Sequence, residues 1–363
     1  MTRPLSILHV ITDLEFGGAE TMLAALVSRP DPRVRHQVVS LLPAGAVRAR
    51  IEAAGIPVSD LGMSRGVPSP LAIARLASLI RRSTPDVIQG WMYHADLLAS
   101  LALVLSGRRQ RTRQFWGIRC SDMDPSRYGR VFRWVLALSA RFSACPDGVI
   151  ANSQAGLDSH LALGYRPRRQ AVVWNGIDTG RFRPDPQARA EVRAEWGVAE
   201  SERVIAHVAR VDPMKDHALF LAAVDRLTSG RVVLVGKGTE DLPRHPRVLA
   251  LGVRSDVPRL LAAADVIASS SAFGEGFPNV LAEGMACGCV PVSTDVGDAA
   301  ALIGPCGLAV PRRDELALAQ ALQTVLDWDA ETFARHRAAC RQRAESQFTM
   351  AATLDGFLQA YGK

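Results

Sequence analysis

The chain has 363 residues, 48% hydrophobic and 22% charged, with a formal net charge of +7. That composition excludes a disordered or collagen-like chain, and the length suggests two domains, each with its own core. The first apolar run is broken by Asp13 and Glu15, unlike a signal peptide, and ADLLASLALVLSG, about thirteen residues, is too short to span a bilayer.

The charge is uneven. Residues 1–170 hold 22 Arg, no Lys and 12 Asp+Glu, a balance of +10, which leaves 21 basic and 24 acidic residues, or −3, for the rest. A basic first half points to an anionic partner: a membrane surface, a phospholipid-like substrate or nucleic acid. The alternative is an Arg-rich solvated face. The six cysteines fit no zinc spacing and read as buried free thiols of a reducing cytoplasm.

In chain order, LSILHVI (5–11) reads as a buried strand, and FGGAE leads into the helical TMLAALVSR. HQVVSLL (36–42) is a strand, PLAIARLASLIRRS a helix and PDVIQGW a strand. WGIRCSDMD (116–124) follows another strand. DGVIANS (147–153) is a strand before the helical QAGLDSHLALG, and QAVVWNGID (170–178) closes this half. A second set follows, with strands at 203–209, 231–236, 248–252, 265–269 and 290–294 and the helix DHALFLAAVDRLTS between the first two. Continuous apolar strands alternating with helices predict parallel sheets covered on both faces. The expected fold is α/β: Rossmann-like domains over 1–172 and 173–342 facing a central cleft. The last stretch, 343–363, reads as a helix that packs on either domain.

Ligands of such sheets bind at the carboxyl ends of the strands, so the polar residues just after strands are the candidates. Gly17 and Gly18 allow close backbone approach before a helix. No G-x-G-x-x-G fingerprint accompanies them, which argues against a dinucleotide-dependent dehydrogenase. Arg210 and Lys215, five apart after a strand, suit a diphosphate clamp; the alternative is pairing with Asp212 or Asp216. Gly236 and Gly238 form a third strand-then-glycine turn.

The richest stretch is SSAFGEGFPNVLAEGMACG (270–288). Pro278 is expected as the first residue of a helix, with Glu275 in the loop before it and Glu283 on it. Eight helical residues cover roughly 12 Å, more than the roughly 5–9.5 Å between paired glycosidase carboxylates. The two glutamates therefore do not flank one scissile bond. Between them the amides near Phe277, Asn279 and Val280 suit an anion. An elongated ligand with a central diphosphate and a hydroxylated group at each end fits, and nucleotide sugars have that shape. The alternative is one glutamate capping the helix and the other bridging a surface arginine.

On these residues the chain resembles the large GT-B family of retaining glycosyltransferases, family four, that includes sucrose synthase and bacterial mannosyltransferases. The resemblance rests on GGAE, NGID…F.P, the R…K pair of ARVDPMKD, VGKG and the E-x7-E signature from Glu275 to Glu283. It implies that Arg210 and Lys215 hold the donor diphosphate and offset charge on the leaving nucleotide. Glu275 would bind the transferred sugar, with the amides of Gly276, Phe277 and Asn279 lining sugar and phosphate. Glu283 would bind the ribose hydroxyls, and Gly17 and Gly18 would close over the donor. No metal or other cofactor is implied; the nucleotide sugar is a substrate. Two departures stand out. Trp174 replaces the usual Pro before NGID, and the histidine that commonly follows the PDVIQGW strand is matched, with an offset, by His94. Arg119 and Asp122 are acceptor candidates.

The function expected is transfer of a sugar to a glycan or polyprenyl-linked glycan in cell-surface polysaccharide synthesis. The site would be cytoplasmic and peripheral at the inner face of the membrane, with an anionic membrane surface and no nucleic acid as partner. The alternatives are a nucleotide-sugar epimerase on the same fold and a non-catalytic nucleotide-sugar-binding protein.

Overall fold

A computed structural model describes residues 3–15, 17–43, 45–64, 69–122 and 129–363. Phe16 of the FGGAE motif, and Met123 and Asp124 of the WGIRCSDMD run, lie outside the described residues. The chain divides into Met1–Gly176 with Met350–Lys363, and Ile177–Thr349.

The N-terminal unit carries a seven-stranded parallel sheet of β1 (Leu5–Ile11), β2 (Val34–Ser40), β3 (Val58–Asp60), β4 (Val87–Trp91), β5 (Arg113–Ile118), β6 (Gly148–Ala151) and β7 (Gln170–Val172). Its order is β3-β2-β1-β4-β5-β6-β7. The helices are α1 (Gly18–Val27), α2 (Arg48–Ala53), α3 (Pro70–Ser83), α4 (Tyr93–Leu105), α5 (Arg130–Phe142) and α6 (Gln154–Ala162). Local chemistry sets them. In α3, Ser69 Oγ accepts from Ala72 N at 3.3 Å, Pro70 follows, and buried Ala72, Leu76, Ala77 and Ile80 repeat at helical spacing. Thr84 ends it in a left-handed conformation.

The C-terminal unit repeats the design with six parallel strands: β8 (Val204–Val208), β9 (Arg231–Val235), β10 (Val248–Ala250), β11 (Val266–Ser269), β12 (Val290–Thr294) and β13 (Leu308–Val310), in the order β10-β9-β8-β11-β12-β13. Its helices are α7 (Pro186–Trp196), α8 (His217–Asp225), α9 (Val257–Ala263), α10 (Asn279–Ala286), α11 (Ala299–Ile303), α12 (Glu315–Leu326) and α13 (Ala330–Gln347). Arg193 and Arg189 reach the buried carboxylate of Asp265 at 3.2 and 3.0 Å and tie α7 to the start of β11.

Several boundaries differ from the sequence expectations. Within QAVVWNGID, the run that closes the first half, β7 ends at Val172. The edge strands β3 and β13, three residues each, carry too few apolar positions to register as runs. A break at 342/343 would fall inside α13, which runs on to Gln347. This helix is mostly polar, and only Phe333, Cys340 and Ala344 are buried, so its apolar periodicity is faint. The terminal helix, α14 (Met350–Ala360), packs on the N-terminal unit. Met350, Leu354, Phe357, Leu358 and Tyr361 join Leu5, Trp91 and Phe115 in one core, and Tyr361 Oη donates to Gln89 Oε1 at 2.9 Å. Four of the six free thiols are buried, but Cys120 is half-buried and Cys145 exposed.

Candidate active site

In the C-terminal sheet the winding reverses between neighbours β8 and β11. The loops leaving such a pair diverge and open a crevice at the strands' carboxyl ends. The β8 loop carries Arg210 and Lys215; the β11 loop carries Glu275. The strand order thus brings together motifs sixty residues apart.

Asp212 builds the first loop. Its Oδ1 accepts from Met214 N at 2.8 Å, and its carbonyl accepts from Lys215 N at 2.9 Å. Arg210 Nε donates to Asp212 Oδ2 at 3.2 Å, with 57% of the arginine side chain exposed. Arg210 therefore adopts the pairing weighed from the sequence, and Lys215 does not. Asp216 turns left-handed (φ 46°) and caps α8 by accepting from Leu219 N at 3.1 Å.

The two loops are laced together. Ala272 N donates to Met214 O at 2.8 Å, and Ser270 Oγ to Lys215 O at 2.7 Å. Lys215 Nζ donates to Glu275 Oε1, which also accepts from Ser271 Oγ at 2.7 Å. Thr294 Oγ1 holds Ser271 from behind through its carbonyl, at 2.7 Å. Sequence reasoning missed Ser271 and Thr294. Ser271 is the second residue of the 270–288 stretch, four before Glu275, but a hydroxyl's partner depends on the loop's path.

Gly236 has φ 141°, and a Cβ there would lie 2.2 Å from the Ala209 carbonyl oxygen. Ala209 N donates to Val235 O and Val211 N to Lys237 O, each at 2.8 Å. What presses on Gly236 is the backbone of the Arg210 loop. Gly276 is held by its carbonyl, which accepts from Asp298 N at 2.9 Å. The Phe277 ring is buried edge-on against Phe348, centroids 5.6 Å apart, so the side chain belongs to the core. Pro278 is the N-cap rather than the first helical residue, because its ψ of 89° is not helical. Asn279 and Val280 then open α10, which has no side-chain cap and no acidic residue in its first turn. Its positive end is suited to an anion. Gly284 seats α10 on β11: a Cβ there would lie 2.6 Å from Ile267 Cβ.

Glu283 is half-buried on α10. Burial pushes its carboxyl up to about 7, against an opposing pull from Arg181. The folded state therefore holds a proton there that the unfolded chain has released. This contribution to stability is full below the unfolded value and lost as pH rises through about 7. Glu283→Gln removes it. The variant is expected to gain stability relative to the parent between about pH 5 and about pH 8, read from urea midpoints. A difference that is flat with pH contradicts this.

In the N-terminal sheet the reversal falls between β1 and β4. Gly17 and Gly18 follow β1. Gly17 is extended (φ −155°), and a Cβ there would meet the Glu20 carboxylate, at 2.2 Å from Oε2. His94 lies in the first turn of α4, half-buried, 6.4 Å from the Phe132 ring, and burial lowers its pKa. Met92, just before α4, has φ 74°, a strained backbone for a side-chain-bearing residue. Arg119 follows β5. Its guanidinium is enclosed, 4.2 Å over the Trp91 ring, with Nη1 3.5 Å from Asn175 Oδ1. Its Nε and Nη2 find no hydrogen-bond partner among the described residues, and burial pulls its pKa down to about 10. Asp122 is exposed with φ 49°.

Two doubly wound Rossmann-like units with charged loops at a switch point define the GT-B architecture, and solved structures of that kind superpose on this chain. Anabaena HepE in complex with UDP and glucose matches with a TM-score of 0.84 at 23% identity, over 99% of each chain. Sucrose-phosphate synthase from Thermosynechococcus elongatus matches at 0.78 and 16%, over 98% of each. At these identities the likeness speaks for the fold.

The sequence profile of Glycosyltransferase Family 4 matches residues 16–181, and that of Glycosyl transferases group 1 matches residues 202–327. The chain belongs to this glycosyltransferase family. D-inositol 3-phosphate glycosyltransferase of Mycobacteroides abscessus is 30% identical over 236 residues, 60% of this chain and 52% of that protein. The N-acetylgalactosamine-N,N'-diacetylbacillosaminyl-diphospho-undecaprenol 4-alpha-N-acetylgalactosaminyltransferase of Campylobacter jejuni is 30% identical over 197 residues, 50% and 52% of the two chains. The chain spans about half the length of the curated relatives it matches.

Proposed function

We propose that this chain transfers a sugar from a UDP-sugar to a phosphorylated or lipid-linked glycan acceptor, with retention at the anomeric carbon, in the synthesis of cell-surface polysaccharide. The observation that carries the reading is the Lys215–Glu275 pair, backed by Ser271, at the β8/β11 switch point of the unit that also presents the uncapped α10. Lys215 and Arg210 supply positive charge to the donor diphosphate in place of a metal ion. The exposed Arg210–Asp212 pair is worth at most about 1 kcal/mol, so a diphosphate can draw the arginine away at little cost. Glu275 accepts from hydroxyls of the transferred sugar, and Glu283 from the ribose.

Support for UDP comes from HepE, solved with UDP and with UDP-glucose. Support for the acceptor class comes from the two relatives, whose names carry an inositol phosphate and a diphospho-undecaprenol. In this reading the N-terminal unit binds the acceptor through His94, Arg119 and Asp122.

The test is a thermal-shift and hydrolysis screen with UDP-, GDP- and ADP-sugars. The expected result is stabilisation and slow hydrolysis with one UDP-sugar. No response to any nucleotide sugar would remove the reading. Donor alone yielding a new sugar epimer would replace it with an epimerase.

A further inference from the structure

Exposed large apolar side chains are concentrated in one place on the N-terminal unit. Of the eleven among the described residues, seven lie on two helices packed side by side: Leu101, Val104 and Leu105 on α4, and Val131, Trp134, Leu138 and Phe142 on α5. Trp134 is 70% exposed and Val104 65%. On α5 the four residues fall three, four and four apart, so they form a single stripe, while Leu136 and Ser139 face inward. A soluble surface scatters such residues singly; a concentrated patch marks a binding face.

The charges around the stripe identify what it binds. Arg130, Arg133 and Arg141 flank it on α5, which contains no acidic residue, and exposed Arg111 follows α4. The only acid of α4, Asp96, is buried. An apolar stripe with a tryptophan and a rim of arginines matches the interfacial zone of an anionic bilayer. No described helix is long and apolar enough to cross a membrane.

We infer that the α4–α5 face docks on anionic lipid, with Trp134 and its apolar neighbours entering the headgroup boundary and the arginines held by lipid phosphates. The inference does not depend on the catalytic reading. It adds to that reading a place for the acceptor, because the N-terminal turn of α5 lies at the carboxyl end of the sheet, as do His94 and Arg119. A lipid-linked acceptor would reach this unit from the bilayer beneath.

The test is cosedimentation of the full chain with vesicles of phosphatidylcholine alone and of phosphatidylcholine with phosphatidylglycerol. The protein is expected to prefer the anionic vesicles and to lose that preference at high salt. Trp134→Ser with Leu138→Ser, and separately Arg130→Gln with Arg133→Gln, should each weaken binding about tenfold or more. All four positions are exposed, so UDP binding and thermal stability should be unchanged. Brominated lipid should quench fluorescence in the parent and much less in Trp134→Phe. Equal sedimentation with both vesicle types overturns the inference, as does unchanged binding by the variants. So does light scattering that finds a dimer which the Trp134→Ser, Leu138→Ser variant dissolves. A dead catalytic site with intact vesicle binding would count against the proposed function alone.

Discussion

Lys215→Ala is expected to lower kcat with a UDP-sugar donor by about 10²–10³-fold, the range for removing one preorganised electrostatic contact to a developing negative charge. Nucleotide affinity should fall only a few-fold, because α10 and Glu283 remain. The structural basis is the placement of the ammonium. Nζ is directed by Glu275, whose second partner is Ser271, and the loop carbonyl of Lys215 is fixed by Ser270. The charge therefore needs little reorganisation to act on a leaving diphosphate. Glu283→Ala should show the reverse pattern, with a raised KM and a nearly unchanged kcat, since a ribose contact is made equally in ground and transition states. Steady-state kinetics of the two variants decides the assignment. If both lose kcat equally and slightly, Lys215 does not act on the leaving group.

Gly236→Ala is expected to destabilise the C-terminal unit by about 3 kcal/mol and to lower kcat/KM as well. Two costs add at this position. The backbone has φ 141°, which a side chain resists, and the new Cβ would lie 2.2 Å from Ala209 O and 2.9 Å from Arg210 N. Relief requires the β8 loop to move, and Arg210 and Lys215 move with it. Gly197→Ala is the control. It shares a positive φ, 65°, but has nothing within 4 Å of its Cβ, so it should cost about 1 kcal/mol and leave kinetics unchanged. Urea unfolding and donor kinetics of both variants separate loop displacement from backbone strain. Equal effects would mean that the contact with Ala209 carries no weight.

Most strands were legible because a strand buried on both faces is a continuous apolar run, as in LSILHVI and VPVST, which match β1 and β12 end to end. Helix α3 was legible over its full length because Ser69, Pro70 and the apolar spacing agree. Short edge strands and the polar α13 left weak traces, since few of their residues are buried. At the site, Glu275, Lys215 and Glu283 were identifiable by residue type and by position after strands or on the following helix. Their neighbours Ser271 and Thr294 were not, because a hydroxyl is common at turns whatever it touches.

By itself, then, the sequence determined the class of fold, the alternation of strand and helix, and which charged residues stand at strand ends. Local chemistry suffices for these: burial patterns, caps and glycines act within a few residues of themselves. Only the tertiary structure decided that β8 lies beside β11, so that Lys215 meets Glu275, that Gly236 yields to a neighbouring backbone rather than to open space, and that α14 joins the N-terminal core. Those outcomes depend on strand order and on surfaces made by distant segments, and an apolar helix stripe specifies that it will be buried without specifying against what.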